Sequence, residues 1–113
     1  MRRRFGPYNP EVINEELRKL PTRDAIDLKT AMKQYQDDTG VGYRIKNYGD
    51  GLMMISDSGR GQGRCLFFRA ETNINPKTGE VEERLTALLV YKKETQKVPQ
   101  SVIQTARKRM GET

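Results

Sequence analysis

Near residue 41 the spacing of apolar residues changes from a period of about 3.6 to a period of 2, which restricts the chain to folds that set helices ahead of a sheet. Upstream, Ile13, Leu17 and Leu20 fall at i, i+4 and i+7 and make one apolar stripe. Asn9 suits an N-cap, Pro10 the first helical position, and Glu11 the positive end of the helix dipole. A helix is therefore expected over residues 10–20, stopped by Pro21. Thr22 can cap a second helix, with Ala25, Leu28, Met32 and Tyr35 on its buried face and Gly40 as its C-terminal residue. The short link between the two predicts a helical hairpin.

Downstream, Tyr43-Arg44-Ile45-Lys46 alternates, residues 47–51 form an Asn/Asp/Gly turn, and residues 52–56 make a second short strand. A glycine-rich loop over residues 57–63 leads to a strand at 64–70. A Pro- and Gly-containing hairpin loop over 73–80 then leads to a strand at 81–91. Leu85, Ala87, Leu89 and Tyr91 are expected on one face of that last strand. Pro99 opens a C-terminal helix lined by Val102, Ile103, Ala106 and Met110. The order α-α-β-β-β-β-α predicts one α+β domain over residues 1–113. Its expected form is a four-stranded antiparallel sheet, packed by helices on one face and partly open on the other.

Charge narrows the function. The 113 residues carry a net charge of +6 and contain no histidine and a single cysteine. This removes the usual general base and the common His- and Cys-ligated metal sites. Residues 1–40 are nearly balanced, with 8 basic against 7 acidic side chains, whereas residues 41–113 hold 13 against 8. A basic excess confined to the sheet region fits either a solvated, aggregation-resistant edge or a polyanionic partner, most often nucleic acid. The Met1–Arg4 tip is expected to be solvated, because no apolar segment follows it as in a signal peptide. Ala87–Tyr91 is the longest apolar run and is too short to span a bilayer. A cytoplasmic location is the expectation. Residues 59–63, Gly-Arg-Gly-Gln-Gly, do not match a phosphate-binding P-loop and read as a flexible connection displaying Arg60 and Arg64.

The stretch from Leu88 to Met110 carries a more specific signal. Tyr91 ends a strand, Lys92-Lys93 and Thr95-Gln96-Lys97-Val98-Pro99 follow, and a helix then carries Ala106-Arg107-Lys108-Arg109. This segment resembles the C-terminal signature of the RelE/HigB superfamily of toxins, in its phage-derived HigB-like branch. Residues 43–68 resemble the family's preceding strands more loosely. Where the family often has Leu-Trp-Glu-Leu-Arg on its second strand, this chain has Leu52-Met53-Met54-Ile55-Ser56. Its Glu and Arg are absent, and Arg60 is a possible substitute for the arginine.

The resemblance implies a RelE-like fold and a type II toxin that cuts messenger RNA, commonly at the ribosome, without metal or other cofactor. The ribose 2′-OH attacks the adjacent phosphate, so the site needs a base, an acid and cations around the phosphate. Lys46, Arg64, Arg84, Tyr91 and Lys93 are the catalytic candidates, with Lys46 as base. Arg64 and Arg84, on neighbouring strands, are expected to reach one phosphate. Arg60, Lys92, Lys97, Arg107, Lys108 and Arg109 are the RNA-binding candidates. The implied partners are messenger RNA, the ribosome and a helix-turn-helix antitoxin from an adjacent gene, with no membrane. Two alternatives share the fold: a non-catalytic RNA-binding protein and a ParE-like inhibitor of gyrase.

Overall fold

A computed structural model of the chain describes residues 2–113. The elements run β1 (Arg2–Pro7), α1 (Pro10–Arg18), α2 (Thr22–Gln36), β2 (Tyr43–Gly49), β3 (Leu52–Asp57), β4 (Gly63–Ile74), β5 (Val81–Lys92) and α3 (Gln100–Gly111). The α+β class and the N-cap at Asn9 agree with the sequence: the Asn9 side chain accepts hydrogen bonds from the amides of Glu11 and Val12. Helix α2 ends at Gln36, short of Gly40, and Asp38 takes a left-handed conformation with φ of 57°.

The sheet has five strands in the order β1-β5-β4-β3-β2 and is mixed, where period-2 patterning predicts four antiparallel strands. The additional strand is the basic N-terminus: Arg2 and Arg4 are exposed as a solvated tip would be, but the segment is paired and Arg3 turns inward. Strand β1 pairs parallel to β5, with Arg2 opposite Glu82 and Pro7 opposite Ala87. Its inward positions, Arg3 and Phe5, alternate with outward ones, but a charged residue at one of them hides the strand pattern. Phe5 packs edge-on against Phe67 at 5.1 Å, within an aromatic group that includes Tyr35 and Tyr43.

Arg3 explains its own burial. Its guanidinium lies 4.2 Å from the Tyr35 ring centre and donates to Asp38 at 2.7 Å and to the Tyr35 carbonyl at 3.1 Å. It also pairs at 3.4 Å with the buried Glu83, which Arg69 meets from the other side at 3.3 Å. Removing Arg3 strips Glu83 of one of two counter-charges. Arg3→Ala should cost about 2 kcal/mol of unfolding free energy, less than a wholly orphaned buried charge because Arg69 remains. Urea denaturation reads this directly; a midpoint unchanged from the parent would show the network to be idle.

The helices do not share one face of the sheet. Ile13 and Leu20 at the start of the chain and Leu28, Ala31 and Tyr35 of α2 pack with Ile55, Cys65, Phe67, Leu85, Ala87 and Val90. On the opposite face, Val102, Ile103, Ala106 and Met110 of α3 pack with Leu52, Met54, Leu66, Leu88 and Leu89. One extra residue in β5 makes this possible. Leu66 pairs with Leu89 but Phe67 pairs with Ala87, so Leu88 is a bulge without a cross-strand partner. The slip splits the expected Leu85-Ala87-Leu89-Tyr91 face. Leu85 and Ala87 face α1 and α2, while Leu89 and Tyr91 face α3.

Strand β1 stops at Pro7, leaving the end of β5 without a neighbour on that side. Two side chains take over the ladder. Glu16 of α1 accepts from the Val90 amide at 2.9 Å, and Arg109 of α3 donates to the Leu88 carbonyl at 3.0 Å. The two bond to each other at 2.8 Å, and Arg109 lies 5.2 Å from the Tyr8 ring centre. Buried backbone polar groups are thereby paired without a strand.

Candidate functional site

Pairing across β2, β3, β4 and β5 sets one row of side chains on the α3 side of the sheet. Arg44 is opposite Ser56, and Arg64 is opposite Tyr91. Ile55 opposite Cys65 puts Ser56 beside Arg64 in the next position. Three strand spacings make the row roughly 14 Å wide, within reach of two arginines leaning inward. Lys46, opposite Met54, stands on the same face two residues along. Lys93 follows Tyr91 by two residues, and its amide donates to the Gln62 carbonyl at 2.8 Å, which extends the β-ladder past its last pair. Arg44, Lys46, Met54, Ser56, Arg64 and Lys93 line one open cleft of about 300 Å³.

The glycine-rich loop is shaped by carboxylates. Asp57 accepts from the amides of Gly59 and Gly61, and Asp24 of α2 accepts from the Gln62 amide. A side chain at Gly61 would run into the Asp57 carboxylate, and one at Gly63 would press on the Asp24 carbonyl at 3.1 Å. These glycines permit close packing, which accounts for the run without a P-loop. Arg64 closes the loop from below, donating from Nη1 to the carbonyls of Gly61 at 2.8 Å and Gly63 at 2.9 Å. Arg60, Arg64, Lys93 and Gln96 border a second cleft of about 430 Å³ that shares Arg64 and Lys93 with the first.

Tyr91, on the same sheet face, pairs with Arg64 and reaches Met54 of the first cleft. Burial pushes its phenol up to about 12, with Tyr48 adding to the rise and Arg64 opposing it. Its hydroxyl donates to the Met54 sulfur at 3.7 Å, a weak acceptor that the Tyr48 hydroxyl also approaches, at 4.0 Å. At neutral pH Tyr91 is a proton donor. A neutral tyrosine whose folded value is raised contributes stability below its ordinary value of 10, and this is lost as pH rises from about 10 toward 12. Urea midpoints should therefore fall over that window, and Tyr91→Phe should flatten part of the fall. An identical alkaline slope in the variant would assign the loss elsewhere.

The expected site residues divide. Lys46, Arg64, Tyr91 and Lys93 come together, with Arg60 on the adjoining loop. Arg84 does not join them: it faces Glu71, with an ion pair at 3.3 Å, seven positions before Tyr91 along β5. That places it roughly 20 Å from Arg64 by strand rise, too far to share a phosphate. Lys92, next to Tyr91 on a strand, takes the opposite face. Lys97 and Arg107 border a third cleft that shares Lys46 with the first. Arg107 also donates to the Tyr48 carbonyl at 3.1 Å and pairs with Asp50 at 3.6 Å. Lys108 is exposed on α3, while the Arg109 guanidinium is engaged by Glu16 and by the Leu88 carbonyl of β5.

Arg44 and Ser56 are absent from the sequence-based set. The i, i+2 spacing of Arg44 and Lys46 was the available signal, since it puts both on one face of a strand. Cys65, fully buried with its thiol pushed up to about 12, offers no nucleophile. No helix among the described residues is long and apolar enough to cross a membrane. No protein-family model and no curated protein matches the chain.

Proposed function

We propose that the chain is a RelE/HigB-like type II toxin that cuts messenger RNA, with its site on the α3 side of the sheet. The observation that carries this reading is the convergence of Arg44, Lys46, Arg64 and Lys93 on one cleft, on the sheet face that also carries the proton-donating Tyr91. The RelE-like fold belongs to the same proposal; a helical hairpin ahead of an antiparallel meander favours it. Arg44 bears on the main departure from the family pattern. The family's second-strand arginine is replaced by Ser56, and the cross-strand partner of Ser56 is Arg44. A guanidinium thus returns to the same face from the neighbouring strand.

In this mechanism Arg64 and Lys93 hold the scissile phosphate and Arg44 neutralises charge as it grows. Lys46, once its ammonium has given up a proton to solvent, takes the proton of the attacking 2′-OH as the neutral amine. The 2′-oxygen bonds to phosphorus, the bond to the 5′-oxygen breaks, and Tyr91 exchanges its weak sulfur contact for donation to that leaving oxygen. The products are a 2′,3′-cyclic phosphate and a 5′-hydroxyl. An antitoxin encoded beside the toxin neutralises it by covering this basic face, and the two should co-purify when expressed together.

The test is induction in cells, followed by primer-extension mapping of message ends. The parent should create new ends and arrest growth, as should Lys29→Ala on α2, whereas Lys46→Ala, Tyr91→Phe and Lys93→Ala should not. Met54 and Ser56, standing where the family has Glu and Arg, favour a second reading, RNA binding without cleavage. Message that is bound but uncut in the presence of ribosomes would select it.

A further inference from the structure

We propose that the cleft between β2 and the start of α3 is a nucleobase subsite beside the phosphate site, where Tyr48 stacks the base and Gln96 and Gln100 read its edge. This rests on the RNA reading above and extends it to base identity. The cleft, of about 400 Å³, borders Lys46, which also lines the phosphate cleft. A nucleotide with its phosphate held by Arg64 and Lys93 can therefore set its base next door, past Lys46.

The two clefts differ in chemistry. Both carry cations, Lys46, Lys97 and Arg107 in the cleft beside α3, but only the latter adds an apolar wall from Val98 and Ile103, an aromatic ring and two amides. That combination suits a base, which has a flat apolar face and a polar edge. Tyr48 is presented there by a backbone irregularity. Asn47 pairs with Met53 and Gly49 with Leu52, so Tyr48 is the unpaired residue of a bulge in β2. Bulges re-aim side chains at functional sites. The Lys46 ammonium lies 5.3 Å from the ring centre, over the face that a base would take, so stacking exchanges this cation contact for the base. The Arg107 bond to the Tyr48 carbonyl fixes the bulge against α3.

Gln96 and Gln100 are exposed, so their amides face solvent and are available to a ligand. Each carries a donor and an acceptor, which is what discrimination among single-stranded bases requires. Gln96 also borders the loop-side cleft, placing it between the two.

The experiment is fluorescence anisotropy with labelled 2′-O-methyl oligonucleotides of A, C or U, which lack the attacking hydroxyl. The parent should bind them with affinities spread about tenfold between strongest and weakest. The double variant Gln96→Ala/Gln100→Ala should compress that spread and leave the weakest oligomer unaffected. Tyr48→Leu should weaken all three on the order of tenfold with the salt dependence unchanged. The glutamines lie on the surface, so their variant remains decisive if Tyr48→Leu melts early. Equal parental affinities, or a spread that survives the double variant, would overturn the subsite; Arg64→Ala still abolishing salt-dependent binding would then leave the RNA reading intact. A parent that binds none of the three at low salt overturns both.

Discussion

Arg64→Ala is expected to lower message cleavage by about 10²–10³-fold, the scale associated with losing one fixed donor to a transition-state oxyanion. Nη1 of Arg64 is held by the Gly61 and Gly63 carbonyls, so the guanidinium is oriented before substrate arrives. Preorganisation of this kind is what makes a donor effective, because no reorientation is needed when charge develops. Arg64→Lys keeps the charge but lacks the planar fork that lets one nitrogen bind the carbonyls while another meets a phosphate, so it should restore only part of the rate. Single-turnover cleavage with ribosomes and a defined message measures both. A thermal melt separates lost chemistry from a disturbed loop. A folded Arg64→Ala chain that cuts at the parental rate would move the site away from this face.

The second large effect is on stability. Arg109→Ala should cost about 3 kcal/mol, because Glu16 becomes a largely buried charge without its partner and the Leu88 carbonyl loses its donor. At 4–8 °C per kcal/mol, the melting temperature should fall by roughly 12 °C or more. The salt dependence of RNA binding should not change, since the guanidinium is spent inside the fold. Glu16→Gln keeps an oxygen for the Val90 amide and should be milder. The double variant should cost less than the sum of the singles, and denaturant titration of all three gives that coupling. Lost RNA affinity with undiminished stability would instead return Arg109 to the binding surface.

Local signals in the chain carried much of this architecture. Asn9-Pro10 marks the start of α1 by chemistry contained within a few residues. The Asn/Asp/Gly turn after β2 and the Pro/Gly hairpin loop before β5 likewise mark the meander. Non-local features stayed hidden. Arg3 belongs in a strand only because Glu83 and Asp38, distant in sequence, supply its counter-charges. The bulge at Leu88 leaves composition and apolar content untouched, so no windowed pattern reports it. At the candidate site, the sequence pointed to Lys46, Arg64, Tyr91 and Lys93, which share one sheet face, while the separation of Arg84 required the register between β4 and β5. Arg44 was overlooked because the family's arginine belongs one strand away.

The parallel pairing of β1 with β5 sets an order in time. Residues 2–7 leave the ribosome long before residues 81–92 exist to receive them, and eighty positions separate Arg3 from Glu83. The meander from β2 to β5 joins neighbours through short loops and can close first, whereas β1 must wait for a contact of long sequence separation. During synthesis the first strand is therefore a loose basic arm. Arg3 has no Glu83 to pair with until the last strand is made. Docking of β1 is thus expected late, after the meander, and substitutions at Arg3 should accelerate unfolding more than they slow the assembly of the sheet.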